Sequence, residues 1–194
     1  ILLQNCLFVL YNGEGIYRAT KAYKKRPLES VFMSYTTAHR YADFDTFFVG
    51  TEPGKRAPQI ATTSLEVFTE IRDVLVPIFD RLKPTELEFL AAATIAIWSI
   101  GSARNSEQIV KMSDVYHKRV FDELHTLYRD EFKLDNYASR MGDLMSLVNS
   151  LEQTSVSLIN FLRLFDVFNV FEEGSFTSEI IAPARIEEEI SDDE

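Results

Sequence analysis

The sequence predicts an all-α fold, and three observations support this prediction. Glycine and proline number 7 and 6 among 194 residues, about 7% against an average near 12%, which leaves few positions for the tight turns of a β-sandwich or barrel. Hydrophobic residues make up 46% and aromatic residues 12% of the chain, so the bulk of it is not disordered. Several long segments repeat apolar residues every three to four positions, the period of a helix with one buried face.

The charge of the chain is negative overall and unevenly distributed. The formal net charge is −10, and six of the carboxylates lie in residues 186–194, IEEEISDDE. We therefore expect a folded domain over 1–182 and a disordered acidic tail over 183–194. The balance disfavours binding of nucleic acid by this chain, which would need a basic patch. The basic stretch 18–40 is read as a solvated face.

Two further features bound the class of protein. Cys6 is the only cysteine, so no internal disulfide can form and a reducing compartment is favoured. The longest uncharged run in the interior, 89–103, is shorter than the about 20 residues needed to cross a bilayer. We therefore expect no membrane segment.

The first half of the chain predicts two helices with an irregular stretch between them. Apolar spacing predicts a helix over 2–25, in which Gly13 and Gly15 mark either a bend or a close approach of another element. The stretch that follows, up to Pro58, has lost helical periodicity and leaves 31–35 as a candidate strand. Thr63 and Glu66 form a capping-box pattern and predict the start of the next helix.

The second half predicts three more helices and a short one at the end. Pro77 predicts a kink, and Pro84 suits the first turn of a helix that continues to Trp98. A loop over 101–106 and a helix over 109–127 follow. Heptad-like apolar spacing over 136–171 predicts a spine of about 36 residues, longer than usual and therefore the centre of a bundle or a subunit interface. Gly174 ends it, and an amphipathic helix over 175–181 follows.

The sequence contains no pattern that predicts catalysis or metal binding. The three histidines, His39, His117 and His125, lack the spacing and the cysteine partners of a zinc site. No nucleophile elbow or ordered triad motif is present. We therefore expect that the chain is not an enzyme and that its histidines are structural. Arg18 remains notable, because an arginine at the end of an apolar helix can bind a carboxylate through two parallel hydrogen bonds. An exposed arginine is nevertheless the simpler interpretation.

Six segments of the chain together form a recognisable pattern. The segments are LLQNCLFVLYNGEGIYRA at 2–19, LKPTELEFLAAATIAIW at 82–98, KRVFDELHTLY at 118–128, RMGDLMSLVNSLE at 140–152, FLRLF at 161–165 and FTSEII at 176–181. Each segment alone is a weak signal, but their order and spacing cover roughly residues 1–182. Taken in order, they resemble the ligand-binding domain of a nuclear hormone receptor, most closely the nematode branch related to the hepatocyte-nuclear-factor-four type.

The resemblance implies a three-layer antiparallel α-helical sandwich around a lipophilic pocket. Residues 2–19 would be the joined fourth and fifth helices of the family, the spine its tenth and eleventh, and 175–181 its terminal activation helix. Helices one to three and a zinc-containing DNA-binding domain would lie before Ile1, so no zinc or other cofactor is expected in this chain. The protein would then regulate transcription in the nucleus.

The resemblance also implies a site for a ligand. Arg18 matches an arginine that anchors a fatty-acid-like carboxylate in related receptors, and Asn12 and Glu14 depart from a pattern that is apolar or small. The ligand-facing residues would be Arg18, Phe68, Ser155, Leu158, Ile159 and Leu162.

Two protein surfaces follow from the same resemblance. Coactivator or corepressor peptides would bind at Gln4, Phe176, Glu179 and Ile180, where Glu179 caps the peptide helix and Thr177 replaces an apolar residue of the family pattern. A homo- or heterodimer would form through Arg140, Leu144, Leu147, Val148 and Leu151, with Asn149 in place of a common proline. The alternative function is a constitutive scaffold for dimerisation and coregulator docking, with a pocket filled by side chains.

Overall fold

The computed structural model describes residues 2–22, 30–32, 38–43, 57–99, 107–167 and 174–181. The six α-helices of these residues confirm the predicted all-α class, and two strands of three residues each pair antiparallel, with Val31 opposite His39. The helices are α1 Leu2–Ala22, α2 Ala57–Leu82, α3 Glu86–Ser99, α4 Glu107–Thr126, α5 Ala138–Val167 and α6 Phe176–Ile181. The other elements are β1 Ser30–Phe32, β2 Ala38–Arg40, a 3-10 helix Tyr41–Asp43 and a π-helix Leu127–Glu131 that continues α4.

The helices surround one apolar core in which α1 and α5 are central. Helix α5 packs against α1, α2, α3 and α6, and α1 also packs against α2, α3 and β1. Helix α4 lies outside this group and packs against α3 and the π-helix. The strand predicted at 31–35 is confirmed at its start only, because 33–35 lie outside the described residues, as do the predicted loop 101–106 and acidic tail 183–194.

The contact between α1 and α5 explains one of the two glycines in α1. A Cβ on Gly13 would lie 2.7 Å from Cδ2 of Leu151 and 3.2 Å from Cε2 of Phe89. The helix runs through this point without a break, so the glycine serves the close approach of α3 and α5. Next to it, the buried Asn12 donates a hydrogen bond from Nδ2 to the backbone oxygen of Thr154 at 3.1 Å.

The start of α2 differs from the prediction, and the capping box lies elsewhere. Helix α2 begins at Ala57 and includes Pro77, so Thr63 is an interior residue. A capping box instead opens α3, since the Thr85 N–H donates to Oε2 of Glu88 at 2.8 Å and the Glu88 N–H donates to Oγ1 of Thr85 at 3.3 Å. The sequence pattern was present at both threonines, and only the second stands at a helix end.

The buried Glu88 is also the centre of a polar cluster, which we call the Glu88 junction (Thr85, Glu88, Tyr128, Arg140). The Arg140 guanidinium donates from Nε to Oε1 at 2.6 Å and from Nη2 to Oε2 at 2.8 Å, and the Tyr128 hydroxyl donates to Oε1 at 2.9 Å. Burial alone would raise the pKa of Glu88, but the hydrogen bonds from Arg140, Thr85 and Tyr128 hold that pKa below its ordinary value. The junction joins the first turns of α3 and α5 to the π-helix.

The apolar residues of the predicted dimer face lie in the core of this chain, and a dimer through this face stays a prediction. Leu144, Leu147 and Leu151 have no exposed surface, Val148 has 1%, and Arg140 is held by Glu88. These four apolar residues lie on α5, which packs against α1, α2 and α3. A heptad-like stripe is typical of an interface and of a central core helix alike, and here it serves the core.

Candidate ligand and coregulator site

The last helix, α6, begins at a well-defined N-terminus. Gly174 has φ of +74°, in the left-handed region that glycine adopts without strain. Ser175 caps the helix, since its Oγ accepts a hydrogen bond from the Ser178 N–H at 3.3 Å, and its backbone oxygen accepts one from the Glu179 N–H at 3.0 Å. The predicted helix over 175–181 is therefore confirmed to within one residue.

Helix α6 is attached to the body by contacts at its C-terminal end. Ile181 is completely buried, and the Arg163 guanidinium donates from Nε to the Ile181 backbone oxygen at 2.9 Å. A cation suits this end of a helix, where unpaired carbonyl groups carry partial negative charge. Arg163 lies on α5 and was not singled out in the sequence, because its role depends on where the chain returns after α5. The N-terminal end of α6, in contrast, is more exposed to solvent than the end that carries Ile181.

Three of the four predicted coregulator residues lie on α6. Phe176 is 66% exposed, Glu179 is exposed, and Ile180 is half-buried against the core. Gln4 differs from the expectation for a contact surface, because it is 9% exposed. Its Nε2 has no hydrogen-bond partner within the described part of the chain. Helix α1, which carries Gln4, contacts α6.

The predicted ligand-facing residues lie on three helices that pack together, α1, α2 and α5. Phe68 of α2 is buried and meets Phe161 of α5 edge to face, with ring centroids 6.3 Å apart. Ser155 is completely buried and donates from Oγ to the Leu151 backbone oxygen at 2.7 Å. The remaining members of the set are also buried or half-buried against the core: Leu158, Ile159 and Leu162.

Arg18 has a carboxylate partner on its own helix. Its Nε lies 3.1 Å from Oε1 of Glu14, one turn earlier, and both side chains are about one third exposed. An acidic ligand at Arg18 would therefore compete with Glu14 or displace it. This pairing could be anticipated from the spacing of four residues, which is favourable for an ion pair on a helix.

Comparison with known proteins places the fold and the family. The sequence model of the ligand-binding domain of nuclear hormone receptors matches residues 1–168. The chain belongs to this family. It is 25% identical over 167 residues to the nuclear hormone receptor family member nhr-43 of Caenorhabditis elegans, which covers 84% of this chain and 37% of that protein. It is 28% identical to nhr-127 of the same organism, covering 63% and 34%. This chain spans about a third of the length of both relatives.

A solved structure agrees with this membership of the nuclear hormone receptor family. The ligand-binding domain of Ultraspiracle from Drosophila melanogaster superposes with a TM-score of 0.64 at 15% identity, covering 94% of this chain and 68% of that one. The resemblance stated from the sequence is thereby confirmed in family and in fold. At this identity, the likeness to Ultraspiracle concerns the fold alone.

Burial shifts the pKa of two further side chains of this domain, Tyr11 and Glu152. Burial raises the pKa of Tyr11 to about 12. Burial also raises the pKa of Glu152, although a hydrogen bond with Ser99 and the proximity of His117 act in the opposite direction. Nε2 of His117 lies 3.2 Å from the Ile95 backbone oxygen.

Among the described residues, no three histidine, cysteine or acidic side chains are grouped as metal ligands, and no helix is long and apolar enough to span a membrane.

Proposed function

We propose that this chain is the regulatory module of a nuclear transcription factor, in which α6 moves between a docked and a released position and so changes the affinity for coregulator peptides. The observation that carries the proposal is the attachment of α6. The buried Ile181, the half-buried Ile180 and one hydrogen bond from Arg163 hold it, while Phe176 and Glu179 are exposed. The proposal contains no catalytic step.

The energetics of α6 suit a switch. A helix of six residues is too short to be stable alone, so its structure depends on docking. A peptide or ligand that prefers the docked state by a few kcal/mol is sufficient to shift the populations. In the docked state, the Glu179 carboxylate can cap the N-terminal amides of an amphipathic peptide helix, and Phe176 adds apolar surface beside it.

The coregulator half of the proposal is tested by titrating a fluorescent LxxLL peptide with the full chain and following anisotropy. The Glu179→Gln variant keeps the size of the side chain and removes the charge, and we expect its affinity to fall about five- to tenfold, in line with loss of a charge–dipole contact. Asp114→Asn is the matched control, since Asp114 is exposed on α4, a helix that packs against α3 and the π-helix. Equal affinity of the Glu179 variant and the control would overturn the role of Glu179.

For the ligand, we propose a fatty-acid-like molecule whose carboxylate exchanges with Glu14 at Arg18. Guanidinium groups bind carboxylates with two parallel hydrogen bonds, and the apolar residues of α2 and α5 supply a lipophilic environment. Oleate is then expected to raise the melting temperature of the chain, and Arg18→Gln to abolish the rise. Arg81→Gln is the control, since it also removes an arginine from an ion pair, here with Asp143.

A constitutive scaffold without a ligand is the second candidate function, and two observations favour it. Arg18 already has the Glu14 carboxylate beside it, and Phe68 fills space against Phe161. If oleate does not change the melting temperature while the LxxLL peptide still binds, the scaffold is the correct function. DNA contact, in either case, is proposed for a separate upstream domain of the full-length protein.

A further inference from the structure

Tyr137 has a different setting from the other tyrosines of the described residues. It lies in the irregular connection 132–137 between the π-helix and α5, and its side chain is half-buried. Its neighbours in sequence, at 135, 136, 138 and 139, are exposed. The other described tyrosines lie within helical elements: Tyr11, Tyr17, Tyr41, Tyr116 and Tyr128. An exposed and irregular backbone of this kind is the segment that the active site of a modifying enzyme can receive.

Basic side chains of α4 and the π-helix lie beside the Tyr137 hydroxyl. The hydroxyl is hydrogen-bonded to Nδ1 of His125, and this contact is exposed. Nη1 of Arg129 lies 3.4 Å from Nε2 of the same histidine. The pKa of Arg129 is raised chiefly by its hydrogen bond with Asp130, and the charge of Tyr137 contributes in the same direction. Arg129 is therefore close enough to Tyr137 for their charges to interact.

Asp130 orients the guanidinium of Arg129. It accepts hydrogen bonds from Nε and Nη2 of Arg129 at 2.7 and 3.0 Å, while Nη1 lies toward His125. The hydrogen bond from Arg129 is the main cause that lowers the pKa of Asp130, and the charges of Lys133 and His125 act in the same direction. Three basic side chains thus act on one carboxylate. A second anion at the Tyr137 hydroxyl would be attracted by Arg129 and, when it is protonated, by His125.

We propose that Tyr137 is a phosphorylation site, and that Arg129 and His125 bind the phosphate. A protein tyrosine kinase would transfer the γ-phosphoryl group of a nucleoside triphosphate. The Tyr137 oxygen forms a bond to the γ-phosphorus, the bond from that phosphorus to the leaving nucleoside diphosphate breaks, and the hydroxyl proton passes to the kinase.

The product suits the surroundings of the hydroxyl. It carries nearly two negative charges at neutral pH and three strong acceptor oxygens. These oxygens can accept a hydrogen bond from Nη1 of Arg129 while Asp130 keeps Nε and Nη2. His125 and Arg129 are both exposed, so their side chains can turn to admit the larger group.

The modification would act on the body of the domain. Tyr137 lies at the start of α5, where its backbone oxygen accepts a hydrogen bond from the Met141 N–H at 2.9 Å. Its ring centroid is 5.3 Å from that of Tyr128, a member of the Glu88 junction. A phosphate bound by residues of α4 and the π-helix would join these elements to the start of α5 and stabilise them together. This inference does not depend on the proposed role of α6.

The first experiment asks which tyrosine is modified. The full chain is incubated with magnesium, ATP and the catalytic domain of a non-receptor tyrosine kinase, and tryptic peptides are followed by mass spectrometry. Trypsin releases Tyr137 in 134–140, LDNYASR, and Tyr116 in 112–118, MSDVYHK, each with one tyrosine.

Tyr116 is the internal control, because it is 39% exposed but lies within α4. A kinase can receive it only after local opening of the helix, so the 134–140 peptide is expected to gain phosphate at least about tenfold faster. In Tyr137→Phe, that peptide should gain no phosphate.

The second experiment asks which residue binds the phosphate. The phosphorylated wild type is expected to melt about 2–4 °C higher than the unmodified chain, and less so at high salt because the site is exposed. Phosphorylated Arg129→Gln is expected to lose most of this rise. Arg119→Gln is the matched control and should keep it, since Arg119 is also an exposed arginine with a carboxylate partner nearby in sequence, Glu123 at 2.9 Å.

Three results would overturn the proposal. If the 134–140 peptide is modified no faster than 112–118, Tyr137 is not the preferred acceptor. If phosphorylation leaves the melting temperature of the wild type unchanged or lowers it, the surrounding basic residues do not bind the phosphate. An equal rise in Arg129→Gln and in the wild type would show that Arg129 has no part in the site.

Discussion

The Glu88 junction and the attachment of α6 are two regions of the same molecule that are built in opposite ways. In the junction, the Glu88 carboxylate has no exposed surface and accepts hydrogen bonds from three residues, one of them an arginine with two contacts. Helix α6 is joined to the body through Ile181, the half-buried Ile180 and one hydrogen bond from Arg163. On the proposed function, the first region fixes the body of the domain, and the second lets its last helix exchange between a docked and a released position.

The difference has a simple energetic origin. Removing one partner from a buried charge pair leaves an uncompensated charge, which is expensive. Releasing α6 exposes Ile181 and the rest of Ile180 and transfers one hydrogen bond to water, and the chain gains conformational entropy in return. On the proposed function, we therefore expect the domain to open at α6 without loss of its core.

The largest effect is expected for Glu88→Gln. The variant leaves Arg140 with a neutral partner, and we expect the free energy of unfolding to fall by about 3 kcal/mol. Urea denaturation followed by circular dichroism measures this change. Glu86→Gln, an exposed carboxylate in the same turn, is the control and should stay within about 0.5 kcal/mol of the wild type. Equal stability of the two variants would mean that the junction does not fix the body.

The junction also predicts a dependence of stability on pH. The folded state holds the pKa of Glu88 below its ordinary value, so the contribution of Glu88 is present above the unfolded pKa of about 4.3 and is lost as the pH falls through the folded value. The difference in stability between wild type and Glu88→Gln should therefore shrink at acidic pH. A difference that stays constant from neutral pH to pH values below the folded pKa would contradict this account.

A smaller effect is expected where α1 meets α5. In Gly13→Ala, the new Cβ overlaps the buried side chain of Leu151, and we expect a net loss of about 1 kcal/mol, since overpacking outweighs the gain in helix propensity. Gly142→Ala is a matched control in α5, where the Cβ would have no neighbour within 4 Å. That variant should gain about 0.5 kcal/mol from propensity. Stabilisation by both variants would show that the contact between α1 and α5 accepts an added methyl group, and that the body is not fixed there.

Arg163→Gln tests the other side of the comparison. Loss of the hydrogen bond to the Ile181 carbonyl should lower the free energy needed to release α6 by about 1 kcal/mol. The melting temperature of the body should change little. Chymotrypsin should then cleave faster after Phe176 than in the wild type. Arg163→Lys keeps a cation near the carbonyl and should give an intermediate rate. A drop in global stability comparable to that of Glu88→Gln would show that α6 is part of the fixed body.

The smallest effect is expected at Glu152, a half-buried carboxylate on α5. Its pKa is raised in the folded state by burial, so its protonated form is favoured and its stability contribution is lost as the pH rises through that pKa. Glu152→Gln should therefore raise the melting temperature by about 1–2 °C at pH 7.5 and less in acid. Destabilisation at pH 7.5 would show that the proximity of His117 outweighs burial.

Local patterns in the sequence predicted most of the helices and the whole of α6. They failed where two patterns look the same locally. Thr63 and Thr85 both carry a glutamate three residues later, and only the position in the fold decides which one is a cap. The leucine stripe of α5 likewise fits a core and an interface equally well.

Contacts between distant residues were beyond the reach of the sequence. Arg140 and Glu88 are 52 positions apart, and Arg163 and Ile181 are joined only because the chain turns back at Gly174. The pairing of Arg18 with Glu14, by contrast, is a local contact of one helical turn. The structure therefore moved the predicted start of α2 from Thr63 to Ala57, but that of α6 by one residue only.

Hydrogen exchange followed by mass spectrometry tests the central claim most directly, because it reports opening of each helix in the unmodified chain. The account predicts that amides at 178–181 exchange at least about 100-fold faster than those of α5 between Leu144 and Ile159, as expected for local opening against global unfolding. An LxxLL peptide should slow exchange in α6 and leave α5 unchanged. Equal protection of α6 and α5 in the free chain would contradict the account.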